Sequence, residues 1–387
     1  MKDSTRSVHE AEPFDEETGS ITTPIYETST FGFNKAEQVP MAVAGQKGYF
    51  YSRYDNPTVM RLERKLAAFE HGEDGAAFSS GMAAIATAIL SFLRKGSHVL
   101  GIRDLYGGTY GLMRDILPEM GFSTNLVETT DFGALERGVR KNTKIILIET
   151  PTNPTLKLVD IRRSAKLAHE SGALLMVDST FASPINQNPI DLGADVVLHS
   201  LTKYINGHAD LIAGAAVASR ENVHRIKMTR RVFGGTLDPI PAWLVLRGMK
   251  TMALRVRQQN ATALVLAEFL STHRKVARVH YPGLKAHPQH RLAVRQMKGF
   301  GGMLSFEING TERDAMKFAE SLKVATLAAS LGGVETLVSQ PHSMTHTQLS
   351  AKERAETGIP ETLVRVSVGI EDADDLVDDF RRALAAV

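Results

Sequence analysis

Three groups of polar residues have the types and spacing needed to hold a phosphorylated cofactor. Lys203 follows Ser200 and Thr202 after a buried apolar strand, and Asp178 ends the apolar segment ALLMV. Residues 79–82 (SSGM) open a helical pattern whose free N–H groups suit a phosphate. Pyridoxal phosphate requires an anion site, an acid for its ring nitrogen and an amine for a Schiff base. These three groups together therefore predict a pyridoxal-phosphate site.

Strands that alternate with helices are expected to position these groups. Short apolar runs predict buried strands at 97–102, 144–148, 173–177 and 195–198. Helical spacing precedes and separates them, at 59–69, 83–93 and 161–171. Such alternation is typical of a parallel sheet covered on both faces, in which ligands bind beyond the carboxyl ends of the strands. The three groups should therefore lie at one sheet edge.

The pattern changes after Trp243, where one long helical stretch is predicted over 242–273. Separated strands (275–280, 302–308, 364–369) and amphipathic helices (312–321, 373–386) follow. The first 50 residues show no sustained period, which indicates an extended arm. We therefore expect an arm over 1–59, a cofactor-binding domain over 60–245 and a smaller α+β domain over 246–387.

Composition excludes several classes of function. The 387 residues include no cysteine, which excludes disulfides, iron–sulfur clusters and thiol nucleophiles. With 45 Lys and Arg against 43 Asp and Glu the net charge is +2, without a basic block, so nucleic-acid binding is not expected. The polar N-terminus does not resemble a signal peptide, and no apolar run approaches the ~20 residues of a membrane span. We expect a cytoplasmic protein without membrane contact.

Motifs of other functional classes are either absent or lie in an unsuitable context, which favours the cofactor site. A dinucleotide-binding oxidoreductase is the alternative from another class, but the Gly-x-Gly-x-x-Gly turn is absent, and so is the P-loop. His342 and His346 have the spacing of a metal pair, yet they follow a proline in a loop without a nearby third ligand. No metal site is predicted.

The sequence resembles the Cys/Met-metabolism group of pyridoxal-phosphate enzymes, which includes cystathionine γ-synthase, cystathionine γ-lyase, cystathionine β-lyase, methionine γ-lyase and O-acyl-homoserine sulfhydrylase. The segments that carry the resemblance span nearly the whole chain: TPIYETSTF (23–31), YSRYDNPT (51–58), SSGMAA (79–84), DLYGGTY (104–110), ETPTNP (149–154), VDSTFASP (177–184), HSLTKYINGHAD (199–210), SLGGVETL (330–337), PHSMTH (341–346) and RVSVGIED (365–372). The resemblance implies the pyridoxal-phosphate-dependent transferase fold (aspartate aminotransferase-like, fold type I) of the α/β class, with a mostly parallel sheet domain and a smaller α+β C-terminal domain.

The resemblance also implies roles for individual residues. Lys203 would form the Schiff base and move protons, Asp178 would partner the ring nitrogen, and Tyr106 would stack on the cofactor and handle a proton. The phosphate would be held by Gly81, Met82, Ser200 and Thr202 and, from the neighbouring subunit, by Tyr51 and Arg53. The substrate would be bound by Asn153, Ser330 and Arg365. Shared sites imply a homo-oligomer, a dimer within a tetramer, whose arm contacts the neighbouring subunit.

Departures from the family pattern bear on the reaction. Enzymes built for cystathionine tend to carry acids where this chain has Phe50 and Ala329, which are apolar as in methionine γ-lyases. Gly108 differs from the cysteine common in methionine γ-lyases, and Ser179 replaces the usual asparagine after Asp178. The expected activity is a carbon–sulfur γ-lyase on methionine or cystathionine. Cystathionine γ-synthase and cystathionine β-lyase are the alternatives within the family.

Overall fold

The computed structural model describes residues 1–344 and 358–387. Its helices are α1 (Asp3–His9), α2 (Gln38–Val43), α3 (Pro57–Glu70), α4 (Gly81–Phe92), α5 (Gly107–Gly111), α6 (Leu117–Glu119), α7 (Phe132–Gly138), α8 (Ile161–Glu170), α9 (Ser183–Asn186), α10 (Arg220–Phe233), α11 (Pro239–Met249), α12 (Met252–Thr272), α13 (His290–Gln296), α14 (Glu312–Ser321) and α15 (Ala373–Ala385). Its strands are β1 (Asp74–Phe78), β2 (His98–Ile102), β3 (Ser123–Val127), β4 (Thr143–Glu149), β5 (Leu174–Asp178), β6 (Val196–Ser200), β7 (Gly214–Ala218), β8 (Val276–His280), β9 (Met303–Ile308), β10 (Thr326–Leu327), β11 (Leu337–Ser339) and β12 (Leu363–Ser367). Within the described ranges, no helix has the length and apolarity required to cross a membrane.

The larger sheet has seven strands in the order β1-β7-β6-β5-β4-β2-β3. Strands β2 to β6 run parallel to one another, whereas β7 is antiparallel to both of its neighbours. The central strands are rich in Ile, Val and Leu and almost wholly buried, because helices cover both faces. This is the mostly parallel α/β sheet that the sequence predicted.

The smaller sheet has five strands in the order β10-β11-β12-β9-β8 and is largely antiparallel. Helices α12, α14 and α15 pack against it, and its core contains three mutually contacting rings, Phe306, Phe318 and Phe380. The predicted second α+β layer is therefore present.

The single long helix predicted over 242–273 is wrong in one respect, because it is interrupted at Lys250 and Thr251 between α11 and α12. In a continuous helix, the Gly248 carbonyl would accept the N–H of Met252. Here that carbonyl instead accepts from the Arg255 guanidinium (2.9 Å) and from the Thr251 N–H (3.2 Å). The Arg255 side chain thus occupies the Gly248 carbonyl oxygen, which a continuous helix would use for its next hydrogen bond.

The start of the chain is more ordered than an extended arm. Helix α1 packs on α12, and Arg257 of α12 forms an ion pair with Asp3 (3.1 Å). Lys65 of α3 is buried and donates to the Ser7 carbonyl (2.7 Å) and to the Glu12 carboxylate. The absence of a sustained period could not show this docking, because α1 is a single short helix held by tertiary contacts.

Candidate active site

Three adjacent strands of the larger sheet end in polar residues at one edge. Strand β4 ends at Glu149, β5 at Asp178 and β6 at Ser200. Glu149 and Asp178 are direct partners in the parallel register, and Asp178 pairs with Leu198. The carboxyl ends of parallel strands meet at the same edge, where ligands bind in folds of this class. The structure therefore brings Asp178 close to the segment that leads into Lys203.

A chain of hydrogen bonds connects Lys203 to three other predicted site residues. The Lys203 Nζ lies 2.6 Å from the Ser330 Oγ. The Ser330 carbonyl accepts from the Arg365 Nη2 (3.0 Å), and the Arg365 Nη1 donates to the Asn153 Oδ1 (3.0 Å). Arg365 belongs to β12 of the smaller sheet, so the network joins the two sheets at the candidate site.

The environment of Lys203 lowers its pKa and makes the neutral amine more accessible than in a free lysine. Burial, with a smaller contribution from the positive charge of Arg365, lowers the pKa of Lys203 to about 8. Burial also lowers the pKa of Arg365 to about 10, still high enough for the guanidinium to remain charged at neutral pH. A lysine with a lowered pKa is a better nucleophile toward a carbonyl group. A buried guanidinium beside it is suited to a carboxylate.

The loop that carries Ser330 is held in close contact with the backbone at Lys203. Ser330 has a φ of 89°, in the left-handed region, which costs a residue with a side chain about 1–3 kcal/mol. Gly332 follows with a φ of 76°, and a Cβ there would lie 2.6 Å from the Tyr204 N. The Gly332 N–H donates to the Ser367 Oγ (2.7 Å). The strained turn thus presents the Ser330 hydroxyl and carbonyl to Lys203 and Arg365.

Two carboxylates share the sheet edge. The Asp178 Oδ1 accepts the Thr180 N–H (3.0 Å). Burial raises the pKa of Asp178, although Thr180 and the nearby His199 oppose this effect. Burial and repulsion by Asp178 raise the pKa of Glu149 well above its usual range. Asp178 would pair with the ring nitrogen of a bound pyridoxal phosphate, and an N–H donated to it there would favour its charged form.

The start of α4 provides a phosphate cradle. The Ser80 Oγ caps the helix by accepting the Ala83 N–H (3.0 Å). The Gly81 and Met82 N–H groups have no acceptor in the part of the chain that the structure describes. A Cβ on Gly81 would lie only 3.0 Å from the Ser200 Cβ, so the glycine lets α4 approach β6 closely. Gly81, Met82 and Ser200 therefore come together as predicted, and they fit a phosphate group.

Thr202 is more constrained than the prediction implied. Its hydroxyl donates to the Ala213 carbonyl (3.2 Å) and accepts the Ala213 N–H (3.0 Å). These two hydrogen bonds hold the loop that contains Lys203 against the chain just before β7. The Thr202 hydroxyl would have to give up its hydrogen bond to the Ala213 carbonyl before it could donate to a phosphate.

Tyr106 lies just before α5, with half of its surface (50%) exposed. Its N–H donates to the Glu149 Oε2 (2.7 Å), while the Glu149 Oε1 accepts the Asn153 N–H (3.1 Å). The ring is thus tethered through its backbone to the same carboxylate that holds Asn153.

Tyr51 and Arg53 occupy a different region of the chain. The Arg53 Nη1 donates to the carbonyl of Arg231 near the end of α10, and its guanidinium lies 5.6 Å from the Tyr51 ring centroid. Tyr51 pairs with Thr30 in an isolated bridge. Among the described residues, no hydrogen bond or ion pair joins Tyr51 or Arg53 to Lys203. Within the described part of one chain, these two predicted residues are therefore not linked to Lys203 by polar contacts.

Two residues near the site were missed as functional by sequence reasoning. Glu149 was visible as a polar strand end, but nothing marked its contacts with two loops. Arg255 is buried in α12 and donates to three consecutive carbonyls after the lysine, at residues 204–206. Burial lowers the pKa of Arg255 to about 10. Its position appeared only as a polar interruption of a helical pattern, so no local signal revealed its role.

Metal binding receives no support from the described ranges, which contain no group of three or more His, Cys, Asp and Glu placed to hold an ion. The His342 Nδ1 pairs with the Glu312 Oε1 (2.9 Å). His346, which has metal-pair spacing to His342, lies outside the described residues.

The large, mostly parallel sheet and the lysine, acid and anion cradle at its edge define a pyridoxal-phosphate-dependent enzyme of the α/β class. The chain belongs to the Cys/Met metabolism PLP-dependent enzyme family, whose sequence profile matches residues 4–385. The resemblance, the fold and the cofactor expected from the sequence are thereby confirmed.

Individual relatives are named for different substrates and reactions. The chain is 45% identical over 386 residues to a cystathionine gamma-lyase of Bacillus subtilis, covering 99% of both sequences. It is 43% identical over 373 residues to an L-methionine gamma-lyase of Fusobacterium nucleatum, covering 95% of this chain and 94% of that protein. A crystal structure of cystathionine gamma-lyase from Lactobacillus plantarum, complexed with L-serine, superposes with a TM-score of 0.94 at 40% identity, covering 100% and 99% of the two chains. The protein is therefore an enzyme of sulfur amino acid metabolism, in a family of several reactions.

Proposed function

We propose that the protein is a carbon–sulfur γ-lyase that cleaves methionine or cystathionine to a 2-oxo acid, ammonia and a thiol. The observation that carries the proposal is the network in which the Lys203 amine contacts Ser330 beside the Arg365–Asn153 pair. Such a network places a proton carrier next to a carboxylate-binding guanidinium. An amino acid held there by its α-carboxylate would present its Cα to the amine.

Each residue of the candidate site would have a distinct role in this reaction. Bound pyridoxal phosphate supplies an electron sink for the bonds at the substrate Cα. Lys203 would hold the cofactor and carry protons from Cα and Cβ, with Ser330 orienting its amine. Tyr106 would donate the proton to the departing sulfur. Asn153 and Arg365 would hold the α-carboxylate. The cofactor would be held by Asp178 at its ring nitrogen and at its phosphate by Gly81, Met82, Ser200, Thr202 and, from a second subunit, Tyr51 and Arg53.

Two apolar residues support a substrate whose leaving group is an uncharged thiol, as in methionine. Ala329 directly precedes Ser330, and Phe50 directly precedes Tyr51, with its ring 6.4 Å from that of Phe33. Neither position offers a carboxylate to the distal ammonium of cystathionine. Ala329 is exposed in the single chain, so this end of the pocket is partly hydrated and the missing ion pair amounts to about 0.2–1 kcal/mol. That amount is similar to the ~0.8 kcal/mol gained per buried methylene, so methionine should be cleaved at least about as readily as cystathionine.

Gly108 has a steric role beside the candidate acid. A Cβ at this position would lie 2.8 Å from the Tyr106 Cε1 and 2.9 Å from the Met82 Sδ. The glycine therefore lets the tyrosine ring and Met82 approach each other. A cysteine there, as in many methionine γ-lyases, would require the ring to shift.

We also propose that residues 1–59 form an arm contacting a neighbouring subunit, followed by a cofactor-binding domain (60–245) and a C-terminal domain (246–387). Tyr51 and Arg53 make no hydrogen bond or ion pair with Lys203 in the described part of the chain, which is compatible with an assembly in which each chain completes another's site. Contacts of α1 and Glu12 with α3 support anchoring of the arm's beginning on its own chain. A dimer is the smallest assembly that satisfies this arrangement.

Product analysis with three substrates tests the reaction. Purified enzyme loaded with cofactor is incubated with methionine, with cystathionine, and with O-acyl-homoserine plus cysteine. A four-carbon 2-oxo acid with ammonia and a thiol is expected from the first two. Pyruvate from cystathionine would instead identify β-elimination. Formation of cystathionine without a 2-oxo acid in the third reaction would identify γ-replacement.

A further inference from the structure

The Glu149 carboxylate connects two loops at the candidate site. Its Oε2 accepts the Tyr106 N–H (2.7 Å), which belongs to the loop between β2 and α5. Its Oε1 accepts the Asn153 N–H (3.1 Å), four residues further along its own strand exit. The residue is only 5% exposed. One buried carboxylate thus fixes the backbone at two residues for which roles at cofactor and substrate are proposed.

Each of these contacts has a consequence for a side chain. The Asn153 Oδ1 accepts from Arg365 (3.0 Å), so the position of the Asn153 backbone helps to set the direction of the guanidinium. Tyr106 has half of its surface exposed, and its tether to Glu149 is a backbone hydrogen bond. A shift of Glu149 would therefore move both the carboxylate-binding pair and the aromatic ring.

The hydrogen bonds of Glu149 are best satisfied by a carboxylate. Its two oxygens accept from two different N–H donors, which a carboxylate can do because both oxygens are acceptors. A glutamine of the same shape would turn its NH2 group toward one of the two donors. Burial, the adjacent Asp178 and, more weakly, Asp104 oppose its charge and raise its pKa. The two backbone donors act in the opposite direction and stabilise the charged form.

We propose that Glu149 is a positioning residue, which sets Tyr106 and Asn153 relative to one another and through Asn153 aims Arg365 at the substrate carboxylate. This inference rests on the proposed function, because it assumes that Asn153 and Arg365 bind an amino acid. It predicts that Glu149 controls substrate binding without contacting the substrate.

The test compares Glu149→Gln with a matched control, Asp379→Asn. Asp379 is also a buried carboxylate that accepts backbone N–H groups, from Lys323 (2.8 Å), Val324 (2.9 Å) and Ala325 (3.0 Å), but it lies in α15 beside the smaller sheet. Binding of glycine, which has no side chain to eliminate, is followed by the absorbance of the cofactor-loaded protein. Thermal unfolding and kcat and KM for methionine are measured in parallel.

Glu149→Gln is expected to weaken glycine binding about tenfold or more, since one buried N–H loses its acceptor. Asp379→Asn is expected to lower the melting temperature while glycine affinity stays within about twofold. Equal glycine affinity in Glu149→Gln and wild type would overturn the inference. Failure of the wild-type protein to bind cofactor or glycine would instead contradict the proposed function.

A double substitution separates positioning from a general loss of structure. If Glu149 acts through Asn153, adding Glu149→Gln to Asn153→Ala should weaken glycine binding little beyond the effect of Asn153→Ala alone. Fully additive losses would contradict this route. If Glu149→Gln does not fold, Glu149→Asp keeps the charge but withdraws it by one methylene. Its glycine affinity should then fall as well, and wild-type affinity in that variant would overturn the inference.

Discussion

Two parts of the predicted site are built in different ways. Around Lys203, Ser330, Arg365 and Asn153 are joined by hydrogen bonds of 2.6 to 3.0 Å within a single chain, although they come from both sheets. The segment 51–55 is instead held by α10, a helix that packs on α4, β1 and β7. In the described chain, no hydrogen bond or ion pair connects that segment with the Lys203 network.

The contacts with α10 explain how the 51–55 segment keeps its shape. The last carbonyls of a helix lack partners within the helix and carry partial negative charge. The Arg231 carbonyl is one of these, and it accepts from Arg53. The Arg231 side chain pairs with Asp55 (2.9 Å) and lies 4.8 Å from the Tyr54 ring centroid. These contacts fix the 51–55 segment on α10 of its own chain.

The largest effect is expected from removal of the amine at the centre of the first region. Lys203→Ala should fold, fail to develop the absorbance of the cofactor–lysine adduct and lose activity at least about a thousandfold. Loss of a half-buried amine whose charge is disfavoured by burial should cost little stability. Absorbance, activity and thermal unfolding are compared with Lys166→Ala, a control in an exposed pair on α8. Ordinary turnover by Lys203→Ala would refute the assignment of Lys203.

Much of the first region could be predicted from the sequence, for identifiable physical reasons. Asp178 and Lys203 follow buried strands, and the rule that parallel strands end at one edge places them together. The contact between Lys203 and Ser330 joins residues 127 positions apart and depends on how the two layers pack. Local periodicity contains no information about such packing, so only the family resemblance pointed to Ser330. The same limit explains why the two-loop role of Glu149 and the carbonyl contacts of Arg255 were missed.

The second effect tests whether the two regions meet across subunits. Neither an Arg53→Ala chain nor a Lys203→Ala chain should be active alone. A mixed dimer contains one site with both Lys203 and Arg53 intact, so random mixing should restore about a quarter of wild-type activity. Activity is measured after refolding the mixture, and mixed dimers are isolated through two different affinity tags. Isolated mixed dimers without activity would show that the sites are not shared.

A moderate effect is expected when the ion pair that holds the 51–55 segment on α10 is removed. Arg231→Ala leaves Asp55 partly buried and unpaired, which should cost about 1–3 kcal/mol of unfolding free energy. If the 51–55 segment helps to bind the phosphate, affinity for pyridoxal phosphate should fall roughly tenfold, the equivalent of about 1.4 kcal/mol. Cofactor titration of the apoenzyme measures this directly.

The control for Arg231→Ala is Arg257→Ala, which removes a more exposed ion pair with Asp3 on α1. Exposed pairs contribute about 0–1 kcal/mol, so cofactor affinity should stay unchanged in this variant. Equal cofactor affinity in the two variants would show that α10 supports the fold but not the cofactor site.

The smallest effect concerns the two apolar residues that flank the two regions, Ala329 beside Ser330 and Phe50 beside Tyr51. Ala329 is exposed in the single chain, so a carboxylate introduced there would meet a distal ammonium in a partly hydrated pocket. An ion pair in such surroundings contributes about 0.2–1 kcal/mol, which corresponds to a change of roughly 1.4- to fivefold. Ala329→Glu should therefore shift the ratio of kcat/KM for cystathionine over methionine upward by that factor. Ala328→Glu is the control, because it introduces the same charge one residue earlier in the chain. Competition assays with both substrates measure the ratio. An unchanged ratio in Ala329→Glu, with cystathionine strongly preferred by the wild type, would show that the lack of an acid at this position does not determine the choice of substrate.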